Sequence, residues 1–258
     1  MATHRLTLEY DGTDFHGWQT QPGVRTVAGV LLDALQTLSG ERPALTAAGR
    51  TDAGAHARAQ VAGVELRTDW EPGVLQSALN AVLPADVAVV DAARCDSAFH
   101  ARRDAVTRTY RYVIASRHVR TPILRRHAWQ VRGALDLDLM RTAGSMLEGT
   151  HDFRAFGGPT HPGGSTVRTV HRVAVDTPEP APQLVLISVS ANAFLRGMMR
   201  AFAGALVAVG QGRRPVGWVE QLLEMGATRP DTLTVAPARG LHQWAVTYPA
   251  QRVEALAA

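Results

Sequence analysis

The chain has 258 residues, 46% of them hydrophobic, with 27 basic and 23 acidic side chains and a net charge of +4. That length suits one large domain or two closely joined halves around a substantial core, and the hydrophobic share excludes a disordered chain. One cysteine, Cys95, excludes an intrachain disulfide and suits a reducing compartment, while the absence of lysine excludes Schiff-base and P-loop lysine chemistry.

The first stretch, "RLTLEYD", alternates apolar and polar residues and predicts a strand with Leu6, Leu8 and Tyr10 on one face. A Gly- and Asp-rich loop, "DGTDFHGWQTQPG", follows it. Val27, Val30, Leu31, Ala34, Leu35 and Leu38 then recur at helical spacing behind a Thr26 cap, with Gly40 as the stop. The loop "AAGRTDAGAHARAQVA" leads into a short strand, "QVAGVEL". A helix through Val74, Leu75, Ala78, Leu79 and Val82 comes next, and "VAVVDAARC" closes as a strand. This half reads β-α-β-β-α-β.

The second half has much the same pattern without repeating the sequence. "RTYRYVIA" predicts a strand, followed by "AWQV" and a helix through Leu135, Leu139, Ala143, Met146 and Leu147. "TVHRVAVD" and "QLVLISVSA" are strands separated by "TPEPAP", a Pro-rich turn that cannot be helical. A long apolar helix is expected over about 194–209, a shorter one after "RRPVGW", and a last strand at "GLHQWAVTYP". The expected fold class is α+β: two β-α-β-β-α-β-like halves forming a mostly antiparallel mixed sheet flanked by helices. The halves are expected at residues 1–104 and 105–258, joined around 96–107, with a binding cleft between them. "MATHRLTLEY" carries no basic-then-apolar leader, and no apolar run approaches membrane-spanning length. A soluble cytoplasmic protein with no membrane partner is expected.

Four stretches carry candidate chemistry. In "AAGRTDAGAHA" a carboxylate, Asp52, stands two residues after Arg50 on a backbone softened by Gly49 and Gly54. Such a carboxylate, held by a cation and backbone N–H groups, suits a nucleophile or general base, although Asp-Gly loops are also ordinary turns. His56 adds no metal site, because no second histidine or cysteine stands at ligand spacing. In "TRTYRYVIA", Tyr110, Tyr112 and Ile114 share one strand face, suited to core packing or to a ring that stacks on a base. Arg196 and Arg200 are four apart in the long apolar helix, where both snorkel to solvent or Arg200 pairs with a carboxylate such as Asp52. His100, Arg102, Arg103, Arg108 and Arg111, then Arg117, Arg120, Arg125 and Arg126, interleave with aromatic residues. That is the footprint of a nucleic-acid partner, with a solvated charged face as the alternative.

Together these pieces resemble the TruA family of tRNA pseudouridine synthases. "AGRTDAGAHA" carries the family's GRTD-G-H signature, and "EYDGTDFHGWQ", "NAVLP", "FHARRDAVTRTYRY", "NAFLRGMMRAFAGAL" and "GLHQWAVTYP" match in the expected order. The glycine-rich "FGGPTHPGGST" and the tail after Tyr248 match poorly. The resemblance implies a pseudouridine synthase fold with a central catalytic cleft. It implies Asp52 as nucleophile, Tyr110 as the tyrosine stacked on the target uracil, Arg200 as the partner of the nucleophilic carboxylate, and Arg50 as a support for the flipped-out nucleotide. It also implies a homodimer without cofactor or metal, acting on uridines at positions 38, 39 and 40 of the tRNA anticodon arm. Ala55 and Met199 stand where Val is commoner in the family, volume changes that leave the chemistry alone.

The chemistry is consistent with that assignment. Pseudouridine formation breaks an N-glycosidic bond, turns the uracil and rejoins it through carbon 5, a net isomerisation that needs no redox partner. The base must leave the stack, at a cost of a few kcal/mol that stacking on Tyr110 and arginine–phosphate contacts offset. Arg102, Arg103 and Arg126 are the expected phosphate contacts. Two rivals remain: a non-catalytic tRNA-binding protein, which would not need Asp52, Tyr110 and Arg200 together, and a glycoside hydrolase, which normally needs a second carboxylate.

Overall fold

The computed structural model describes residues 1–249. They form two compact units, Met1–Arg108 with the stretch from Gln243 onward, and Thr109–His242. Residues 250–258, most of the weakly matching tail, lie outside the described residues.

The first unit contains β1 (Ala2–Tyr10), α1 (Val27–Ser39), β2 (Leu45–Ala47), β3 (His56–Leu66), α2 (Pro72–Val82) and β4 (Val87–Cys95). β1 is central, antiparallel to β3 from Ala2↔Leu66 to Tyr10↔Ala57 and antiparallel to β4 from Thr3↔Cys95 to Tyr10↔Val87. β2 adds to β3 through Leu45↔Val64 and Ala47↔Ala62. Helix α1 starts where the Thr26 side chain accepts from the Gly29 N–H, and it stops at Gly40, whose φ of 71° favours a residue without a Cβ. The helix buries Val27, Leu31 and Leu35, four apart, against Leu6, Leu8, Leu75 and Leu79. Each such side chain contributes about 1.5–3 kcal/mol. Ala48, Val61, Cys95, Phe99 and Ala101 form a smaller core, where burial pushes the Cys95 thiol above its ordinary pKa.

The second unit receives β5 (Thr107–Ser116) from Thr109 onward, then β6 (Trp129–Val131), α3 (Leu137–Ser145), β7 (Gly149–Asp152), β8 (Val167–Asp176), β9 (Leu184–Ala191), α4 (Met198–Gly210) and α5 (Trp218–Glu224). The strand order is β5-β9-β8-β7, with β8 antiparallel to β7 and to β9, and with β6 parallel to β5. Helix α4 is buried almost all round, and Phe202 packs edge-on against Phe153 and Phe156 at 5.5 and 5.0 Å. The last strand, β10 (Leu241–Thr247), lies beside β3 and belongs to the first unit from Gln243.

The expected α+β class with mostly antiparallel pairing is the observed one. One boundary differs with consequence: α4 starts at Met198, not near residue 194. Gly197 has a φ of 76°, a left-handed turn that interrupts any helix running through it. Phe194 and Leu195 are apolar because they pack, not because they continue the helical stripe. Among the described residues no helix is long and apolar enough to cross a membrane.

Candidate active site

Asp52 stands in the connection between β2 and β3, and nearly every neighbour of that loop is tied to the β1–α1 loop or to β3. The Ala48 N–H donates to the Val61 carbonyl at 2.9 Å, and the Gln60 side-chain amide donates to the Gly49 carbonyl at 2.9 Å. The Thr51 carbonyl accepts from the Trp18 N–H at 3.2 Å, while its hydroxyl lies 2.7 Å from the Tyr10 phenol. The Gly54 N–H donates to the Phe15 carbonyl at 3.1 Å. On the far side the Gly12 N–H donates to His56 Nδ1 at 3.1 Å. A turn closes the loop, with the Ala55 N–H donating to the Asp52 carbonyl at 3.1 Å.

Two glycines allow this approach. A Cβ on Gly12 would lie 1.8 Å from the Ala55 carbonyl oxygen, and one on Gly17 would lie 2.7 Å from that of Thr51, at a φ of 88°. Gly54, with a φ of 76°, makes the turn after Asp52. Thr51, Ala55 and His56 are buried, Asp52 is half-buried and Arg50 is exposed. A carboxylate is thus held on a braced loop with partial access to solvent. The "EYDGTDFHGWQ" stretch is the seat of that loop.

A pair of buried glutamines supports the seat from behind. Gln60 and Gln243 are both 0% exposed, and the Gln243 amide donates to Gln60 Oε1 at 3.0 Å while Gln60 holds Gly49. Sequence reasoning missed both residues. Gln60 has a weak signal, a polar residue inside an otherwise apolar strand face; the contact spans too much sequence for any local pattern to disclose it.

The second unit carries Tyr110 and Arg200. Tyr110 is 7% exposed on β5, its ring edge-on to Phe194 at 4.7 Å. Tyr112, on the same face, is fully buried and donates its hydroxyl to the Pro237 carbonyl at 2.6 Å. Burial pushes its phenol well above the ordinary range, with Arg200 and Arg239 pulling the other way. Arg200 is half-buried in the first turn of α4, where its Nε donates to the Ala236 carbonyl at 2.7 Å and its own carbonyl accepts from the Ala236 N–H at 3.1 Å. A Cβ on Gly204 would lie 1.8 Å from the Thr234 carbonyl oxygen, so α4 lies directly on that segment. Arg196 does not share a helix face with Arg200, contrary to expectation. It precedes Gly197, is exposed, and donates its backbone N–H to the Gly158 carbonyl at 3.0 Å.

The arginine cluster divides. Arg102 and Arg103 in the first unit and Arg126 in the second are exposed. Arg108 is only 7% exposed, and its guanidinium donates to the carbonyls of Ala48, Ala105 and Arg102. Expected from sequence to belong to the nucleic-acid footprint, Arg108 instead braces the turn after β4 against the start of the Asp52 loop. Arg108→Met is expected to lower stability by about 3 kcal/mol, since buried carbonyls left unsatisfied cost about 1–3 kcal/mol each. Denaturant unfolding checks this, and an unchanged midpoint would remove the bracing role.

The family's sequence model, described as tRNA pseudouridine synthase, matches residues 7–104 and 143–249. The chain belongs to the tRNA pseudouridine synthase family. The matched segments of this synthase include Asp52 and Arg200, whereas Tyr110 and Arg126 lie between them. It is 46% identical over 251 residues to the tRNA pseudouridine synthase A of Roseiflexus castenholzii, covering 96% of this chain and 92% of that protein. It is 38% identical over 249 residues to the protein of the same name from Geobacter sp. (strain M21), covering 96% and 100%. Among solved structures it aligns with a chain of the archaeal box H/ACA sRNP Nop10-Cbf5 complex at 10% identity and a TM-score of 0.35, over 80% of this chain and 44% of the other. The synthase is an isomerase by family.

Proposed function

We propose that the protein converts uridine to pseudouridine at positions 38, 39 and 40 of the tRNA anticodon arm, with Asp52 as the nucleophile. The observation that carries this reading is the braced loop: backbone bonds from Thr51 and Gly54 to the β1–α1 loop hold a partly accessible carboxylate in one place. Binding energy spent in advance on position lowers the barrier for a reaction whose carboxylate must meet one face of a turned-out nucleotide. Tyr110 supplies a ring for the base, and Arg200, fixed through Ala236, supplies a placed cation. The net change is an isomerisation, so the reading requires no cofactor. It also takes the protein to be a cytoplasmic homodimer, which sedimentation of the native protein would test.

Pseudouridine mapping on unmodified tRNA transcripts tests the function. New pseudouridine confined to the anticodon arm is expected; modification elsewhere, or free uracil in place of pseudouridine, would sink the reading.

Arg102→Ala, Arg103→Ala and Arg126→Ala are expected to weaken tRNA binding. Each removes an exposed cation, so each lowers the slope of log affinity against log salt by about 0.7–0.9 if it meets one phosphate. Slopes identical to that of the unaltered protein would take these three residues out of the RNA surface.

A further inference from the structure

Arg229 is a cation that the proposed chemistry does not use. It is half-buried in the second unit, with Nη2 donating to the Phe156 carbonyl and with Nε buried and unbonded. Nη2 also lies 3.5 Å from where a Cβ on Gly197 would stand, beside the first turn of α4. Burial lowers its pKa, neighbouring Arg200 lowers it further, and no carboxylate acts on it among the described residues. Desolvation, a like charge and the positive end of a helix all disfavour a cation here. A neutral side chain of the same length would avoid all three costs. The one hydrogen bond to Phe156 does not need a charge. What the charge is suited to is an anion that arrives from outside.

We propose that Arg229 binds a phosphodiester oxygen of the RNA substrate, next to the position of Arg200. The inference rests on the reading that this protein acts on tRNA. A guanidinium keeps its charge in a desolvated place where an ammonium would release a proton. The phosphate lies close enough to Arg200 for the RNA to be anchored near the residue expected to act in catalysis.

The test compares the unaltered protein with Arg229→Met and Arg229→Lys in three measurements: thermal unfolding without RNA, tRNA affinity over a range of salt, and pseudouridine formation. For Arg229→Met the expected result is a salt slope smaller by about 0.7–0.9, beside a modest fall in melting temperature from the lost bond to the Phe156 carbonyl. Arg229→Lys is expected to restore little of the slope, because burial and the Arg200 charge favour the neutral amine there. A lowered melting temperature in both variants with the native salt slope would overturn the proposal and make Arg229 a brace to Phe156. So would a slope that Arg229→Met leaves untouched while the unaltered protein forms pseudouridine. If the unaltered protein forms none on any transcript, the functional reading fails first, and the proposal with it.

Discussion

Asp52→Asn protein is expected to fold and bind tRNA like the unaltered protein while forming pseudouridine about 10⁴–10⁶ times more slowly, the range seen when a residue of a catalytic unit is removed. The substitution keeps size and shape. The loop's bonds to Tyr10, Phe15, Trp18 and Gln60 run through Thr51, Gly54 and Gly49 and do not involve the Asp52 side chain. Those bonds stay in place in the variant, and denaturant unfolding measures what the carboxylate itself contributes to stability. What is lost is the anion: an amide neither adds to carbon nor takes a proton as a carboxylate does. Single-turnover rates at saturating tRNA, beside direct binding measurements, separate the two effects. A rate within tenfold of native would mean that Asp52 is only the tip of a structural turn. A matching collapse of binding would mean that the carboxylate holds RNA and does not react with it.

How much of this was legible beforehand depends on how local the cause is. The start and stop of α1 follow from Thr26 and Gly40, each acting within one turn, and both were readable. β4 covers the "VAVVDAARC" stretch expected as a strand. The Asp52 loop was readable as a motif, but its rigidity was not. That rigidity comes from Tyr10 reaching Thr51, Gly12 reaching His56 and Gln243 reaching Gln60, pairings set by chain return over tens to hundreds of residues.

The misreadings have physical reasons too. An apolar run at 194–209 fits a helix as well as it fits a packed segment followed by one, and only the left-handed turn at Gly197 decides between them. Arg108 and Arg102 look equivalent in sequence, yet one is buried among carbonyls and the other exposed. Composition reports how many cations a stretch holds, and burial decides which of them can meet RNA. The same distinction picks out Arg229, which stands alone in the sequence between Thr228 and Pro230 and joins no basic run.

Gly12→Ala should be nearly as damaging to turnover as a change in the carboxylate's surroundings can be without touching it. The added methyl would stand 1.8 Å from the Ala55 carbonyl oxygen and 2.5 Å from its carbon, where ordinary contact begins near 3.4 Å. Both obstacles are backbone, so no side chain can swing away; the β1–α1 loop and the Asp52 loop must separate. Separation stretches the Gly12 to His56 and Gly54 to Phe15 bonds and moves Asp52 with its loop. Overpacking of this kind costs about 1–3 kcal/mol of stability. A displacement near 1 Å at a reacting group costs on the order of 100-fold in rate. The expected signature is a fall in kcat of about that size with KM for tRNA little changed, because the exposed arginines proposed to bind tRNA are untouched. Gly217→Ala is the control, since a Cβ there meets nothing within 4 Å. If Gly12→Ala turns over at the native rate while its stability falls, the two loops can part without moving Asp52. The bracing would then be a matter of folding alone, and the precise placement claimed for the carboxylate would have to come from elsewhere in the protein.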